Sequence, residues 1–354
     1  MPSIAVIPGD GIGNEVIPEA VRVLEALHEV TGMALEYQTF DYGVERYLRT
    51  GEAVPENISE IVQGMSKNFD AILFGAGGDD PRAPVGINAK TVTRALRDGL
   101  DLYANQRPCK LYDARLTPLK GKTEADINFV VFRECTEGLN YLWGGNLKRG
   151  TPDEVAVREE ISTRKGIQRI VQFAFDYAKR HQLSRVAMGD KTKGDSIWRR
   201  VFKEVADGYP GIEGRHFHTD NLIYQIVMRP EQFQVIVIEN RVGDLVSDLA
   251  AALHGGLGLS PSGVFNAEKK ACYFEPVHGT GPDIFGRGLA NPLAAILAVR
   301  MMLEHLGFRD QADLVEKAVI QSIKDGETTP DIGGRLGTRQ VGEFVCQTIR
   351  KLIR

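Results

Sequence analysis

The sequence lacks the features that identify several classes of protein. It has only 4 cysteines in 354 residues, and none lies in a CxxC pair or at the spacing of a metal site. This scarcity excludes a disulfide-stapled secreted scaffold and favours a reduced cytoplasmic protein. The formal net charge of −4 argues against a general nucleic-acid-binding protein, which normally carries a basic patch or stripe.

Long apolar runs are also missing. No stretch reaches the about 18 apolar residues that a membrane-spanning helix needs, so we expect no membrane association. The first residues, MPSIAVIPGDG, show no basic segment followed by a long apolar one, and we therefore expect no secretory leader. No internal repeat or low-complexity tract is evident, which leaves an ordinary globular chain.

A third absence is the dinucleotide fingerprint GxGxxG. The segment PGDGIGNE has three alternating glycines after an apolar run, but it fails the fingerprint at its last glycine position. A nucleotide site must therefore be built without the usual Rossmann turn.

The sequence does contain an alternation of strand and helix patterns. Short apolar runs at 4–11, 71–78, 185–189 and 234–240 end in glycine or polar residues. Helical periodicity follows the first of them from about Asn14, and it recurs behind a cap at Ser162 or Thr163 and in GDLVSDLAAALHGGLG. This alternation predicts an α/β protein in which helices cover a mainly parallel sheet.

Two acids in ENRVGDLVSD are candidates for a metal site. Asp244 and Asp248 lie four residues apart, which on a helix stacks both carboxylates on one face. Two like charges there destabilise the helix unless a hard divalent cation takes the oxygen ligands. Asp220, in HFHTDN, is a candidate third ligand. The alternative, a pair of solvated surface acids, stays open on this pattern alone.

Three arginines are candidates for binding carboxylates. Arg97, Arg107 and Arg133 could each form a bidentate pair with a small anionic substrate. Taken singly, each arginine is more often a surface or structural residue, because charged side chains are mostly exposed.

The segment EPVHGTGPDIFGRGLANP, residues 275–292, is too irregular for a helix or a strand. Its glycines allow the backbone to approach a ligand closely. A single acid, Asp283, suits the diol of a ribose better than a phosphate, which it would repel.

Together these segments resemble a known family. In the order PGDGIGNEV, LRDGLDLYANQRP, FRECTEGL, DK, TDN, ENRVGDLVSD, EPVHGTGPDIFGRGLANP and TPDIGGRLGT, they are similar to the metal-dependent β-decarboxylating dehydrogenases, which act on isocitrate, isopropylmalate, homoisocitrate and tartrate. The resemblance runs from residue 4 to about 350. It implies an isopropylmalate dehydrogenase-like two-domain α/β fold and an enzyme that oxidises and decarboxylates a 2-hydroxy acid.

The resemblance also implies a domain division and an assembly. The large NAD-binding domain would combine 1–100 with 257–354, and the small domain, 101–256, would carry the dimer interface and an arm. Two copies of the chain would form a homodimer with shared active sites.

The same resemblance assigns roles to residues. Asp244 and Asp248 of one subunit and Asp220 of the other would hold Mg²⁺ or Mn²⁺. Lys191 would act as the catalytic lysine across the interface, and Asp220 and Tyr141 would be the other catalytic residues. The substrate-binding residues would be Thr93, Arg94, Arg97, Arg107 and Arg133. The cofactor-binding residues would be Ile12, His278, Gly279, Thr280, Gly281, Asp283 and Asn291. Because NADP-using members have a lysine and a tyrosine where this chain has Asp283-Ile284, we expect NAD.

The chain departs from the family around the reacting carbon. The family has its protonating tyrosine seven residues after the position of Arg133, where this chain has Asn140, and Tyr141 follows one residue later. Either Tyr141 serves as the acid or the last protonation is handled otherwise. Lys193 occupies the position of an asparagine near the nicotinamide, and the segment after it is shorter than in the family.

The residues before Arg97 bear on the substrate. Thr91, Thr93 and Arg94 are polar or cationic where isopropylmalate enzymes have apolar residues. We therefore expect a malate with a polar or anionic substituent, such as isocitrate or homoisocitrate. The alternatives are 3-isopropylmalate, tartrate or D-malate as the substrate, and a regulatory subunit that has lost catalysis.

Overall fold

A computed structural model describes residues 1–139, 144–192 and 194–353. Its strands are β1 (Ser3–Gly9), β2 (Glu36–Thr39), β3 (Ala71–Ala76), β4 (Ala104–Lys110), β5 (Asn128–Glu134), β6 (Gly144–Leu147), β7 (Val155–Arg158), β8 (Arg185–Gly189), β9 (Glu213–Phe217), β10 (Val235–Ile238), β11 (Pro261–Asn266) and β12 (Ala271–Pro276). Its helices are α1 (Gly13–Thr31), α2 (Val44–Thr50), α3 (Ile58–Asn68), α4 (Lys90–Leu100), α5 (Arg164–Arg180), α6 (Ile197–Ala206), α7 (Thr219–Met228), α8 (Asn240–Leu253), α9 (Leu293–His305), α10 (Arg309–Asp325) and α11 (Thr338–Ile353). Short 3₁₀ turns cover Ala114–Leu116, Pro230–Gln232, Leu257–Leu259 and Pro330–Ile332. The predicted α/β class is confirmed.

The chain divides into two compact units. Unit 1 comprises Met1–Leu102, Lys110–Glu124 and Ala251–Arg354, and unit 2 comprises Tyr103–Cys109 and Ala125–Ala250. Residues 110–124 belong to unit 1, whereas the sequence-based boundaries place them in the small domain. This is the longest segment on which the two divisions differ. The assignment of cofactor binding to one domain and dimerisation to the other stays a prediction.

Unit 1 is organised around strands in the order β2-β1-β3-β12-β11. β1 pairs in parallel with β2 and β3, β12 pairs in parallel with β3, and β11 is antiparallel to β12. β3 reads as a continuous apolar run because all its residues are buried, as is typical of an inner parallel strand. α9 packs against β11 and β12 and also against α1 and α10, so it is apolar on almost every side.

Unit 2 has strands in the order β4-β5-β10-β8-β9. β10 pairs in parallel with β5 and β8, and β8 pairs in parallel with β9. The predicted cap of α5 is confirmed, since Thr163 Oγ1 accepts a hydrogen bond from the Gly166 amide at 3.0 Å. β6 and β7 form a separate antiparallel hairpin whose residues are all exposed.

Among the described residues, no helix is both long enough and apolar enough to cross a bilayer.

One buried histidine makes the stability of unit 1 depend on pH. His254 follows α8 and is 2% exposed, with its Nε2 3.2 Å from Ser260 Oγ. Its Nδ1 is buried and has no hydrogen-bond partner among the described residues. Burial lowers the pKa of His254 to about 4, because the imidazolium form would lose its hydration.

We predict that acidification destabilises the wild-type chain more than a His254→Gln variant. The unfolded histidine takes up a proton below its ordinary pKa of 6.5, whereas the folded one does so only near about 4. Folding is therefore opposed by about 1.4 kcal/mol per pH unit in this window, and about 2 kcal/mol is lost between about pH 6.5 and about pH 5. Urea unfolding at pH 7 and pH 5 measures the difference between the two proteins. An equal pH dependence in both would contradict this account.

Candidate active site

The turn after β1 brings backbone segments into direct contact. A Cβ at Gly11, where φ is +52°, would lie 2.2 Å from the carbonyl oxygen of Thr280. A Cβ at Gly9, where φ is +75°, would lie 1.9 Å from the carbonyl oxygen of Ala76. Both positions need glycine, because any side chain would be strained and would also collide with backbone. These glycines therefore serve close packing of the chain on itself.

The first turn of α1 does not present open amides. The Ile12 amide donates to the Thr280 carbonyl at 2.9 Å, and the next three amides donate to carbonyls within the turn at 2.9–3.0 Å. In a Rossmann turn the corresponding amides face a pyrophosphate. The geometry agrees with the prediction that a nucleotide site here is built without that turn.

Asp10 ties three loops of unit 1 together. Its carboxylate accepts hydrogen bonds from the amides of Val44 at 2.7 Å, Gly78 at 3.1 Å and Ala89 at 2.7 Å. The residue is fully buried, and this burial raises the pKa of the carboxyl although the three amides oppose the rise. Asp10, in the turn after β1, thus fixes the loops that follow β2 and β3.

The glycine-rich loop, residues 277–292, follows β12 and lies on the β1–α1 turn. Glu15 Oε1 accepts from the Gly286 amide at 2.6 Å. Thr338, at the start of α11, donates from its amide to the Gly288 carbonyl at 2.9 Å and from Oγ1 to the Ala290 carbonyl at 2.7 Å. The loop is therefore held in one conformation at several points along its length.

The predicted cofactor residues lie on or under this loop. Ile12 is buried, and its Cδ1 would lie 3.1 Å from a Cβ at Gly281. His278 Nδ1 is 2.9 Å from the Gly279 carbonyl, while its Nε2 is buried and has no partner among the described residues. Burial lowers the pKa of His278 and so favours the neutral ring.

Asp283 and Asn291, the last two residues of the predicted cofactor-binding set, differ in exposure. Asp283 is exposed, so its carboxylate can meet a ligand from solvent. Asn291 is 6% exposed, and its amide oxygen accepts from the Leu293 amide while its Nδ2 donates to Asp331 Oδ2, both at 3.0 Å. Asn291 therefore stabilises the start of α9, in addition to any contact with a ligand.

In unit 2, the predicted Arg107 contacts both predicted acids of α8, and the predicted Arg133 contacts one of them. Arg107 Nη1 donates to Asp244 Oδ1 at 3.1 Å, to Ser247 Oγ at 2.8 Å and to Asp248 Oδ1 at 3.4 Å. Arg133 Nη1 donates to the same Asp244 oxygen as Arg107. The acids share one helix face, as their spacing predicts.

These arginines are not surface residues. Arg107 is 8% exposed and Arg133 is 5% exposed, and Arg133 also donates from Nε and Nη2 to Asn240 Oδ1 at 3.1 and 2.8 Å. Buried guanidinium groups need anions beside them, and the two aspartates supply that charge. Partial burial raises the pKa of Asp248, and the nearby Arg107 opposes the rise. Arg107 Nε is buried without a partner among the described residues.

Lys191 and Asp220 form a second pair in unit 2. Lys191 Nζ lies 2.5 Å from Asp220 Oδ2, and both side chains are more than half exposed, at 62% and 65%. The lysine beside it lowers the pKa of Asp220. Throughout the described part of the chain, no three His, Cys, Asp or Glu side chains converge as a metal site. The three predicted metal ligands are thus split, two on α8 and one on α7.

The predicted proton donor Tyr141 lies outside the described residues. The two departures from the family, Asn140 and Lys193, also lie outside them.

The remaining substrate-binding candidates lie on α4 in unit 1. Thr93 Oγ1 donates to the Lys90 carbonyl of its own helix at 2.9 Å, and Arg94 is exposed. Arg97 Nε donates to Tyr273 Oη at 2.7 Å, and its Nη2 lies 3.3 Å from Glu275 Oε1. The apolar residues of α4 are turned into the core, so its exposed face is polar.

Sequence reasoning missed two residues beside the predicted set. Tyr273 contacts Arg97, and nothing in a short apolar strand pattern signals a role for its hydroxyl. Asn105 lies two residues before Arg107 on β4 and so on the same strand face. Both polar atoms of its side chain are buried without a partner among the described residues, and the polar spacing in LYANQRP could have drawn attention to it.

The chain is similar to known proteins over nearly its whole length, including the segments described above. The family model described as "Isocitrate/isopropylmalate dehydrogenase" matches residues 3–345. The chain is 39% identical over 351 residues to a 3-isopropylmalate dehydrogenase of Thermobifida fusca, covering 98% of this chain and 97% of that protein. It is 39% identical over 361 residues to a tartrate dehydrogenase/decarboxylase of Pseudomonas putida, covering 99% and 98%.

A solved structure is similar over the whole length. The crystal structure of isocitrate dehydrogenase from Methylococcus capsulatus superposes with a TM-score of 0.86 at 35% identity, covering 99% of this chain and 100% of that one. The mainly parallel α/β architecture predicted from the sequence is that of this structure.

We predict that the two acids of α8 differ in their contribution to stability when a chelator is present. Asp244→Ala leaves Arg133 and Arg107 buried with a weaker counter-charge, and we expect a loss of about 2–3 kcal/mol in the free energy of unfolding. Asp248→Ala removes one contact of 3.4 Å from a half-exposed acid, and we expect a loss below about 1 kcal/mol. Urea denaturation with a chelator measures both variants. Equal losses would show that the arginines do not depend on Asp244.

Proposed function

Because the chain belongs to the isocitrate/isopropylmalate dehydrogenase family, we propose that it is an NAD- and Mg²⁺- or Mn²⁺-dependent enzyme that oxidises and decarboxylates a 3-substituted malate. The observation that carries the proposal is the meeting of Arg107 and Arg133 with Asp244 and Asp248 on one helix face. Cations that bind carboxylates and acids that bind a divalent ion are what a metal-dependent hydroxy-acid dehydrogenase needs together.

The arginines are suited to hold the substrate carboxylates. Arg107 keeps a buried, unpartnered Nε, which is the donor expected of a group awaiting a carboxylate oxygen. We assign carboxylate binding to Arg97, Arg107 and Arg133.

The exposed face of α4 supports a polar substrate. Val92 and Leu96 are fully buried, whereas Thr91 and Arg94 are exposed one to two turns before Arg97. No apolar side chain of this helix is left exposed to receive an isopropyl group. We therefore favour a polar or anionic substituent at C3, such as that of isocitrate or homoisocitrate. The relative from Thermobifida fusca supports 3-isopropylmalate as the second candidate.

The acids fit a hard divalent ion but need a second copy of the chain. Asp244 and Asp248 provide oxygen ligands one turn apart, and Asp220 is held apart from them with Lys191. We propose that Asp220 and Lys191 of one subunit complete the site of the other in a homodimer.

Exposed apolar side chains support this dimer. Tyr224 and Met228 follow Asp220 at intervals of four residues on α7, and they are 58% and 52% exposed. Leu245, beside Asp244 on α8, is 63% exposed. The β6–β7 hairpin adds exposed apolar residues, among them Leu147 at 63%. Exposed apolar side chains are typical of a protein interface, and those of α7 and α8 lie on the same helices as the acids that the metal would bring together.

The glycine-rich loop supports NAD as the acceptor. Asp283 offers an exposed carboxylate that can accept hydrogen bonds from both ribose hydroxyls and would repel a 2′-phosphate. Ile12 and the unpartnered Nε2 of His278 supply an apolar surface and one polar contact for the adenosine half.

We assign the steps of the proposed reaction to individual residues. When bound, a divalent ion held by Asp244 and Asp248 would supply charge stabilisation, and a dinucleotide held by the glycine-rich loop would supply the hydride acceptor. Lys191 takes the proton of the 2-hydroxyl, which requires that its amine first be released from Asp220 and be neutral. The arginines hold the carboxylates so that CO₂ can leave, and Tyr141 returns a proton to C3.

We predict that the purified chain reduces NAD⁺ in the presence of Mn²⁺ and a 2-hydroxy acid. The panel comprises isocitrate, homoisocitrate, 3-isopropylmalate, tartrate and D-malate, and NADH absorbance gives kcat/KM for each. We expect the highest value for an acid with a polar or anionic substituent, loss of activity with a chelator, and a preference for NAD⁺ over NADP⁺. Lys191→Met should lower kcat by about 10²-fold or more.

Three results would contradict parts of this proposal. Activity on 3-isopropylmalate alone would refute the polar substituent, and a preference for NADP⁺ would refute the role of Asp283. Activity that appears only with a second, different subunit would favour a regulatory role for this chain.

We predict that Gly11→Ala weakens binding of the dinucleotide. The new Cβ would collide with the Thr280 carbonyl at 2.2 Å and push the glycine-rich loop away. Gly32→Ala is the matched control, because Gly32 also has a positive φ, +68°, but a Cβ there meets nothing within 4 Å. We expect KM for NAD⁺ to rise about tenfold or more in the first variant only. Backbone strain costs both variants about 1 kcal/mol of stability, and the collision costs Gly11→Ala more. The same KM in both variants would show that the contact does not shape the cofactor site.

A further inference from the structure

Arg97, Tyr273 and Glu275 form a closed set of hydrogen bonds in unit 1. Arg97 Nε donates to Tyr273 Oη at 2.7 Å, and Tyr273 Oη donates to Glu275 Oε1 at 3.3 Å. Arg97 Nη2 also lies 3.3 Å from that Glu275 oxygen, and the Arg97 guanidinium lies 5.9 Å from the centre of the Tyr273 ring. The hydroxyl is therefore acceptor for the arginine and donor to the acid at once.

The tyrosine is more rigid than the arginine that it holds. Tyr273 is fully buried on β12 between β3 and β11, whereas the side chain of Arg97 is 25% exposed. An arginine side chain on a helix has many rotamers, and two contacts to a buried strand remove most of that freedom. The strand thus fixes the direction in which the guanidinium points.

The hydrogen bond from Nε also limits how Arg97 can bind an anion. A guanidinium can pair with a carboxylate through its Nε edge or through the end formed by Nη1 and Nη2. Because Tyr273 occupies Nε at 2.7 Å, a bidentate carboxylate must use the Nη1–Nη2 end. The tyrosine hydroxyl therefore selects one geometry of carboxylate binding.

We propose that Tyr273 is a positioning residue that orients Arg97 for the substrate carboxylate. The proposal rests on the proposed function only in assigning a carboxylate to Arg97. The hydroxyl takes the Nε donor, and so it keeps Arg97 from pairing with Glu275 through Nε and Nη2 together as a bidentate ion pair would. A tyrosine that merely fills the core would not need its hydroxyl.

The test uses Tyr273→Phe, which removes the hydroxyl and keeps the buried ring. The control is Tyr112→Phe in the same unit, since Tyr112 Oη also donates to a glutamate, Glu316, at 3.2 Å, away from the candidate site residues. With the best hydroxy acid of the panel, we expect KM for that acid to rise about tenfold in Tyr273→Phe, the scale of one hydrogen bond to a charged group. KM for NAD⁺ should stay unchanged, and Tyr112→Phe should match the wild type in both. Equal KM values for the hydroxy acid in all three proteins would overturn the proposal.

A double-mutant cycle separates positioning from a general loss of packing. If Tyr273 acts through Arg97, then Tyr273→Phe lowers kcat/KM further by less than about twofold once Arg97→Ala is present. Losses that simply multiply would overturn the proposal.

A crystal structure of Tyr273→Phe keeps this inference distinct from the proposed function. If the wild-type chain reduces NAD⁺ with none of the acids, the proposed function fails. The positioning role is then still judged by whether the Arg97 guanidinium has turned so that Nε, as well as Nη2, contacts Glu275. A turned guanidinium supports the role of Tyr273, and an unchanged one overturns it.

Discussion

The charges of Arg107 and Arg133 are balanced by Asp244 and Asp248 on α8, and the stability of unit 2 depends on that balance. Both guanidinium groups are nearly buried, and a buried cation is tolerated only beside an anion. A divalent ion would compete for the acids and a dicarboxylate for the arginines. Because the two ligands have opposite charge, they can enter together without leaving an uncompensated charge. The same ion pairs thus stabilise the unit and prepare it for the ligands that we propose.

Unit 1 uses glycine for a different purpose from the Rossmann fold. The turn after β1 has glycines because the backbones of β3 and of the 277–292 loop lie within van der Waals distance of it. Its amides are used within the protein, and the loop rather than the helix N-terminus presents groups to a ligand. Thr338 holds the 277–292 loop through the carbonyls of Gly288 and Ala290, and Asp10 holds the loops that follow β2 and β3 through their amides.

Local sequence patterns predicted strands and a helix cap correctly where burial or one side-chain hydrogen bond determined the structure. The apolar runs at β1, β3, β8 and β10 are strands because they are buried on both faces, and Thr163 caps α5 as its side chain allows. The start of α8 was predicted too late. Glu239 and Asn240 were assigned to the end of the preceding strand, whereas α8 begins at Asn240 and the Glu239 carboxylate accepts from the amides of Arg241 and Val242. Strand and helix follow each other without a turn residue, so no sequence signal marked the boundary.

The sequence by itself determined the α/β class, the family and the presence of two carboxylates on one helix face, because these follow from composition, from motifs and from a spacing of four residues. Only the tertiary structure decided that Arg133 lies against Asp244, 111 positions along the chain, and that Tyr273 holds Arg97, 176 positions away. It also decided that Asp220 pairs with Lys191 rather than with the acids of α8. The reason is that such contacts join strands and helices whose proximity is set by the order of the sheet, and no local pattern encodes that order.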